Sequence, residues 1–345
     1  MDLCEDAYIT TSNPAIISVW IGLLIQNILC IGGLSVLSYL LIKYKIYHPH
    51  LRYLILALHF AFLLRTIGTT YRGGDFLVKL ITKGNDNCNL LQKKTYCKII
   101  SSINGASIGT FLYTFAAISL ERIIALLFYK KYEKHSFFVL PLLVIVAIWA
   151  QPIKSIYDTL SDPLTWNTTI ELPYCNSFST NVTNIDSFVR VDLPISITVF
   201  LINLFIFFYS KYRLKKLDDI QLMDNRLTVK FQLKELSKSS KTVAILGILY
   251  SLDLSINLVL VYTISITIYT QNKTFAFDKE LSAYIIPIYI LIYIVMFSIT
   301  CDKLKEKIFG LCCQPRRVVL VANNKVAPKK DDVEEYFKIY NNNWS

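Results

Sequence analysis

The stretch CKIISSINGASIGTFLYTFAAISLER, Cys97 to Arg122, carries no charged residue between Lys98 and Glu121. Arg122 follows Cys97 by 25 residues. At 1.5 Å per residue, a helix between them is about 37 Å long. The hydrocarbon core of a bilayer is about 30 Å thick, so the stretch reads as a membrane-spanning helix.

The same reading, carried outward, finds six more runs of this kind. They are Ile16–Ile42, Leu51–Thr70, Phe137–Ile153, Val189–Ser210, Thr242–Tyr269 and Leu281–Thr300; the central run extends to Phe128. In lipid every backbone polar group must be paired within its own segment, so such runs are helices. The chain therefore reads as an all-α membrane protein, a bundle of seven transmembrane helices. It divides into an N-terminal segment (1–15), the bundle (16–300), a juxtamembrane amphipathic segment (301–313) and a polar tail (314–345) read as partly disordered.

Composition supports this division. Hydrophobic residues make up 54% of the 345, charged residues 18%, and the mean hydropathy is +0.44. A soluble protein carries about 25% charged residues. The net charge of +11 lies between the apolar runs, which favours a membrane surface over nucleic acid. Acidic Asp2, Glu5 and Asp6 precede the first run, where a signal peptide would have a basic segment. No zinc-ligand spacing, phosphate loop or nucleophile elbow is present, so an enzyme is not expected, nor is a cofactor or metal.

Lys and Arg gather on the cytosolic side of membrane proteins. With the N-terminus outside and the C-terminus in the cytosol, 25 of the 36 fall in inner segments and nine in outer ones. The exception is the first outer loop, with Arg72, Lys79, Lys83, Lys93 and Lys94. Glycosylation sequons at Asn167, Asn181 and Asn272 fall in loops assigned outside. Cys4, Cys88, Cys97 and Cys175 also lie outside, where disulfides persist; four cysteines allow three connectivities. Cys312 and Cys313, beside a basic juxtamembrane segment, are palmitoylation candidates.

A cysteine at one end of the third helix and Glu121-Arg122 at the other resemble a G-protein-coupled receptor. The resemblance implies a bond from Cys97 to Cys175 in the second outer loop. That bond leaves Cys4 and Cys88 as a second pair. It also implies that Glu121 and Arg122 serve G-protein coupling, with Arg122 as a two-state switch. The Trp-X-Pro element of helix six and the Asn-Pro-X-X-Tyr element of helix seven are absent. The segments DNCNLLQKKTYC (Asp86–Cys97), ISLERIIA (Ile118–Ala125) and FQLKEL (Phe231–Leu236) resemble the nematode serpentine chemoreceptors of the Sra superfamily, alpha or alpha/beta class. This likeness covers about residues 1–310. It implies a receptor in the membrane of sensory-neuron cilia, with a heterotrimeric G protein and an unknown small-molecule or peptide ligand as partners.

Ionisable groups within the bilayer are costly and therefore functional suspects. Arg65, Asn104 and Asp192 are candidate ligand-binding residues in the outer half. His59, Asp253 and Asn257, set deeper, read as an interhelical polar network. The nine basic residues of Lys211–Lys241, with Leu227–Lys241 extending helix six, suit acidic lipids and a G protein. The rival reading is a seven-helix ligand-gated channel or transporter. It is opposed by the odd number of spans and the lack of an inverted repeat.

Overall fold

A computed structural model describes residues 3–83, 87–128, 139–161, 170–175, 182–219, 227–267, 272–301 and 304–305. Residues 1–305 form one compact unit; the second, 306–345, lies outside the described residues.

Helix α1 (Leu3–Thr11) precedes the long helices α2 (Pro14–Tyr44), α3 (Pro49–Lys83) and α4 (Lys94–Leu127). A 3-10 turn (Asn87–Leu90) and the strand β1 (Gln92–Lys93) join the last two. Next come α5 (Val139–Ser161), β2 (Glu171–Leu172), α6 (Val182–Asp219) and α7 (Leu227–Ile266). The last described helices are α8 (Asn272–Ser282) and α9 (Ile285–Thr300). Among the described residues, six spans are long and apolar enough to cross a membrane: Pro14–Tyr44, Pro49–Thr82, Lys94–Leu127, Arg190–Tyr212, Leu236–Ile264 and Lys273–Thr300. Helix α5, 23 residues long, stands where the fourth span was expected.

Local chemistry explains the helix ends. Asn13 caps α2 by accepting a bond from the Ala15 amide at 3.1 Å, with Pro14 at the first helical position. Lys45, at φ 43°, adopts a left-handed conformation that stops the helix. Near the C-terminus, Pro287 has no N–H to offer the Ala283 carbonyl, and its ring crowds that carbonyl. The chain turns at Ala283–Tyr284, dividing the seventh span into α8 and α9.

Several helices outrun their sequence-based limits. The second span continues from Thr70 to Lys83, so Arg72 and Lys79 belong to a helix rather than a loop. Lys79 pairs with Asp75 at 2.9 Å, one turn away, and donates to Gln92 at 2.7 Å. One of the five unexpected outer cations is thus matched within its own helix. Asn272, expected in a loop, is the first residue of α8.

Helix α4 is the hub, packing on α3, α5, α6 and α7. An aromatic column fills the interior. Phe62 meets Phe111, Phe115 stacks on Tyr250 at 4.3 Å, and Tyr289, Tyr293 and Phe297 continue along α9. Apolar side chains such as Ile25, Ile28, Leu29, Phe205 and Phe208 point outward, as lipid-facing residues must.

Candidate functional site

Chemistry gathers at the two ends of the bundle. At the first, Cys97 of α4 is bonded to Cys175 just after β2, with Cα atoms 5.2 Å apart. Cys4 of α1 is bonded to Cys88 of the 3-10 turn, with Cα atoms 4.5 Å apart. β1 and β2 pair antiparallel, Gln92 opposite Leu172 and Lys93 opposite Glu171. These three ties draw α1 and the segment around Cys175 toward the start of α4.

A buried charge cluster lies at the same end. Arg72 Nη2 donates to both Glu280 carboxylate oxygens, at 3.0 and 2.8 Å. The Tyr174 hydroxyl donates to Glu280 Oε1. Glu280 is 0% exposed and Arg72 7%. The triad joins α3, α8 and the residue preceding Cys175. Burial first, and then the Glu280 charge, push the Tyr174 phenol well above its ordinary range, so it stays a neutral donor. The Arg72 guanidinium also lies 4.8 Å from the Trp20 ring centroid, and Trp20 stacks on Phe76 at 5.5 Å. A cavity of about 20 Å³ opens among Trp20, Arg72, Asp75, Phe76, Tyr96 and Tyr174.

The three candidate ligand residues do not form one group. Arg65 lies two turns before Arg72 on the same face of α3, within the electrostatic reach of Arg72 and Glu280. Asn104 of α4 presses against Gly68 of α3, where an added Cβ would stand 2.6 Å from its Oδ1. Asp192 of α6 instead lies within electrostatic reach of Tyr250 on α7.

In mid-bundle, His59 Nδ1 bonds Ser38 Oγ at 2.8 Å and Nε2 bonds the Tyr293 hydroxyl at 2.9 Å. These bonds link α2, α3 and α9. The expected partnership of His59 with Asp253 is not formed. α3 turns His59 toward α2 and α9, whereas Asp253 lies near Tyr250 and Tyr289.

At the far end Arg122 is 2% exposed. Its Nε and Nη2 donate to the Glu121 carboxylate, and Nη1 donates to Ser239 Oγ of α7 at 3.1 Å. One turn before, Ser119 Oγ donates to Asn203 Oδ1 of α6 at 3.2 Å. The turn between α2 and α3 closes this end. His48 and His50 rings lie 4.8 Å apart, edge to face. Burial, then His50, Arg122 and Arg52, push His48 down to about 3, so it is neutral at physiological pH.

Residues 5–345 match a family model described as "Serpentine type 7TM GPCR receptor class ab chemoreceptor". The chain belongs to this family. No curated protein matches it. This serpentine chemoreceptor is therefore a multi-pass membrane protein of the seven-helix class. The match takes in the tail beyond residue 314, where the sequence motifs had shown no likeness.

Asn167, Asn181, Cys312 and Cys313 lie outside the described residues. Of the 301–313 segment only 301, 304 and 305 are described. Sequence reading missed the Arg72–Glu280–Tyr174 triad of this chemoreceptor. The signal was there, since a surplus of positive charge in a supposed outer loop asks for a buried counter-charge. Glu280 stood one residue outside the assigned seventh span.

Proposed function

We propose that this chemoreceptor receives an external chemical cue at the Cys97 end and activates a heterotrimeric G protein at the Arg122 end. Two disulfides at the Cys97 end and the cytosolic bias of Lys and Arg support an outside N-terminus and an inside C-terminus. The motifs at Asp86–Cys97 and Ile118–Ala125 support membership of the Sra superfamily of nematode receptors, and with it residence in sensory-neuron cilia. Arg65, Asn104 and Asp192 contribute to ligand recognition in the outer half. Asn167, Asn181 and Asn272 serve as glycan acceptors, and Cys312 and Cys313 as lipid-anchored thiols.

The observation that carries the coupling role is Arg122. A fully buried arginine at a bundle end, tied to Glu121 and across to Ser239, is a two-state element. While the bond to Ser239 holds, α7 stays against α4. Its release frees α7 to swing out and exposes Arg122 to a partner. A hydrogen bond to a charged group contributes about 1.5–3 kcal/mol, so its loss shifts the equilibrium tenfold or more.

Ligand-independent nucleotide exchange, measured as GTP-analogue binding by G protein added to receptor membranes, tests this. Ser239→Ala should raise basal exchange several-fold, and Arg122→Ala should abolish it at equal surface expression. Unaltered exchange in both variants would refute the coupling role.

A further inference from the structure

Arg65 is a cation near the middle of α3, within the stretch Pro49–Thr82 that is long and apolar enough to span a membrane, with an incomplete set of partners. Among the described residues its guanidinium has no ion pair within 4 Å. The charges within its electrostatic reach are Arg72 and Lys279, which repel it, and Glu280, which attracts it. Glu280 is already engaged, because Arg72 Nη2 bridges both of its oxygens and the Tyr174 hydroxyl takes a further bond. Helix α3 therefore brings two arginines to a single buried carboxylate. Lys279, next to Glu280 on α8, has contacts of its own and adds no negative charge. An unmatched positive charge in a low-dielectric interior is costly unless an anion reaches it.

A buried group at the same level also lacks a partner among the described residues. Asn104 Oδ1, on a side chain 3% exposed, accepts no hydrogen bond. It lies against the Gly68 backbone, one turn from Arg65 on the same face of α3. The α3–α4 seam thus presents a cation that lacks an anion and an acceptor that lacks a donor. A small carboxylate answers the first. A hydroxyl or amino group on its adjacent carbon answers the second.

We propose that Arg65 is the counter-ion of a small carboxylate ligand held between α3 and α4, with Asn104 Oδ1 accepting a hydrogen bond from that ligand's hydroxyl or amino group. This inference names the ligand class that Arg65 and Asn104 recognise and rests on the receptor reading. The Arg72–Glu280–Tyr174 triad is the neutralised neighbour that keeps Glu280 from serving Arg65. Selection against neutral analogues follows, because an uncharged amide leaves Arg65 unmatched.

The test uses purified full-length receptor in nanodiscs of zwitterionic lipid, at fixed pH and ionic strength. Thermal unfolding is followed against a series of two- to five-carbon carboxylates, unsubstituted and with a 2-hydroxy or 2-amino group. The corresponding primary amides and sodium chloride serve as controls. The carboxylates should raise the midpoint saturably; the amides and chloride should not. Arg65→Gln should weaken the effect at least tenfold, and Asn104→Ala should weaken it several-fold for the hydroxy and amino acids while leaving the unsubstituted acids unchanged. Lys43→Gln, at an exposed position, should keep the full shift. If Arg65→Gln does not fold, Arg65→Lys retains the charge without the planar fork and should still show a reduced shift. No shift with any carboxylate, an equal shift with amides or chloride, or a full shift in Arg65→Gln would overturn the proposal. Basal nucleotide exchange needs no ligand, so it separates failure here from failure of the coupling role.

Discussion

Three side chains carry most of the polar logic. Arg122 is buried at one end and satisfied by Glu121 and Ser239. Arg72 is buried at the other and charge-paired with Glu280. Arg65 lies between these two levels, with no ion pair within 4 Å among the described residues. Arg65 is half-buried where the other two are buried, and the missing ion pair separates structural arginines from a candidate ligand contact. Breaking a buried ion pair from one side leaves the other charge stranded at a cost of about 3–5 kcal/mol. Glu280→Gln should therefore lower the thermal unfolding midpoint markedly in detergent. The double variant Arg72→Met with Glu280→Leu should recover much of the loss, since an apolar pair strands no charge and leaves only the Tyr174 hydroxyl without its acceptor. A double variant no more stable than Glu280→Gln would show that the pair acts through something other than charge.

At the scale of elements, close approach at two glycines sets how helices meet. Gly68 admits Asn104 at the α3–α4 seam, and Gly247 of α7 admits Asn203 of α6. A Cβ on Gly247 would lie 2.5 Å from Asn203 Nδ2 and 2.7 Å from its Oδ1, the atom that accepts from Ser119. Small residues at helix seams let backbones approach, and overfilling such a seam costs about 1–3 kcal/mol. Gly247→Val should thus lower the unfolding midpoint, whereas Gly32→Ala, whose Cβ would meet nothing within 4 Å, should not. Equal midpoints for the two variants would remove the packing role of Gly247. Pro287 acts at the same scale, because the break it forces separates α8, which carries Glu280, from α9.

For the whole molecule, the bundle is tied at one end and held by polar contacts at the other. The Cys4–Cys88 bond closes a separation of 84 residues and the Cys97–Cys175 bond one of 78. Loops of that length stabilise by about 4 kcal/mol in a chain-entropy account. Cys4→Ser with Cys88→Ser should reduce thermal stability and surface expression while leaving Cys97 linked to Cys175 in non-reduced peptide maps. Unchanged stability would mean that α1 docks without its tether.

The sequence alone determined what local patterning controls. Long charge-free runs gave the spans, because a bilayer demands about 20 apolar residues whatever packs beside them. The end-to-end spacing of Cys97 and Arg122, with its cysteine and its acid–arginine pair, pointed to a receptor, and the family match agrees. Helix limits were less legible. Tyr71–Lys83 looked like a loop because its charges were counted without the partners that satisfy them. Only the tertiary structure decided partnership. It joined Arg72 to Glu280 across 208 residues, turned His59 to Tyr293 across 234, and among the described residues left Arg65 without an ion pair and the Oδ1 of Asn104 without a hydrogen bond. Such pairings depend on which helix faces turn toward each other. That is a property of the packed bundle, and no local window of sequence contains it.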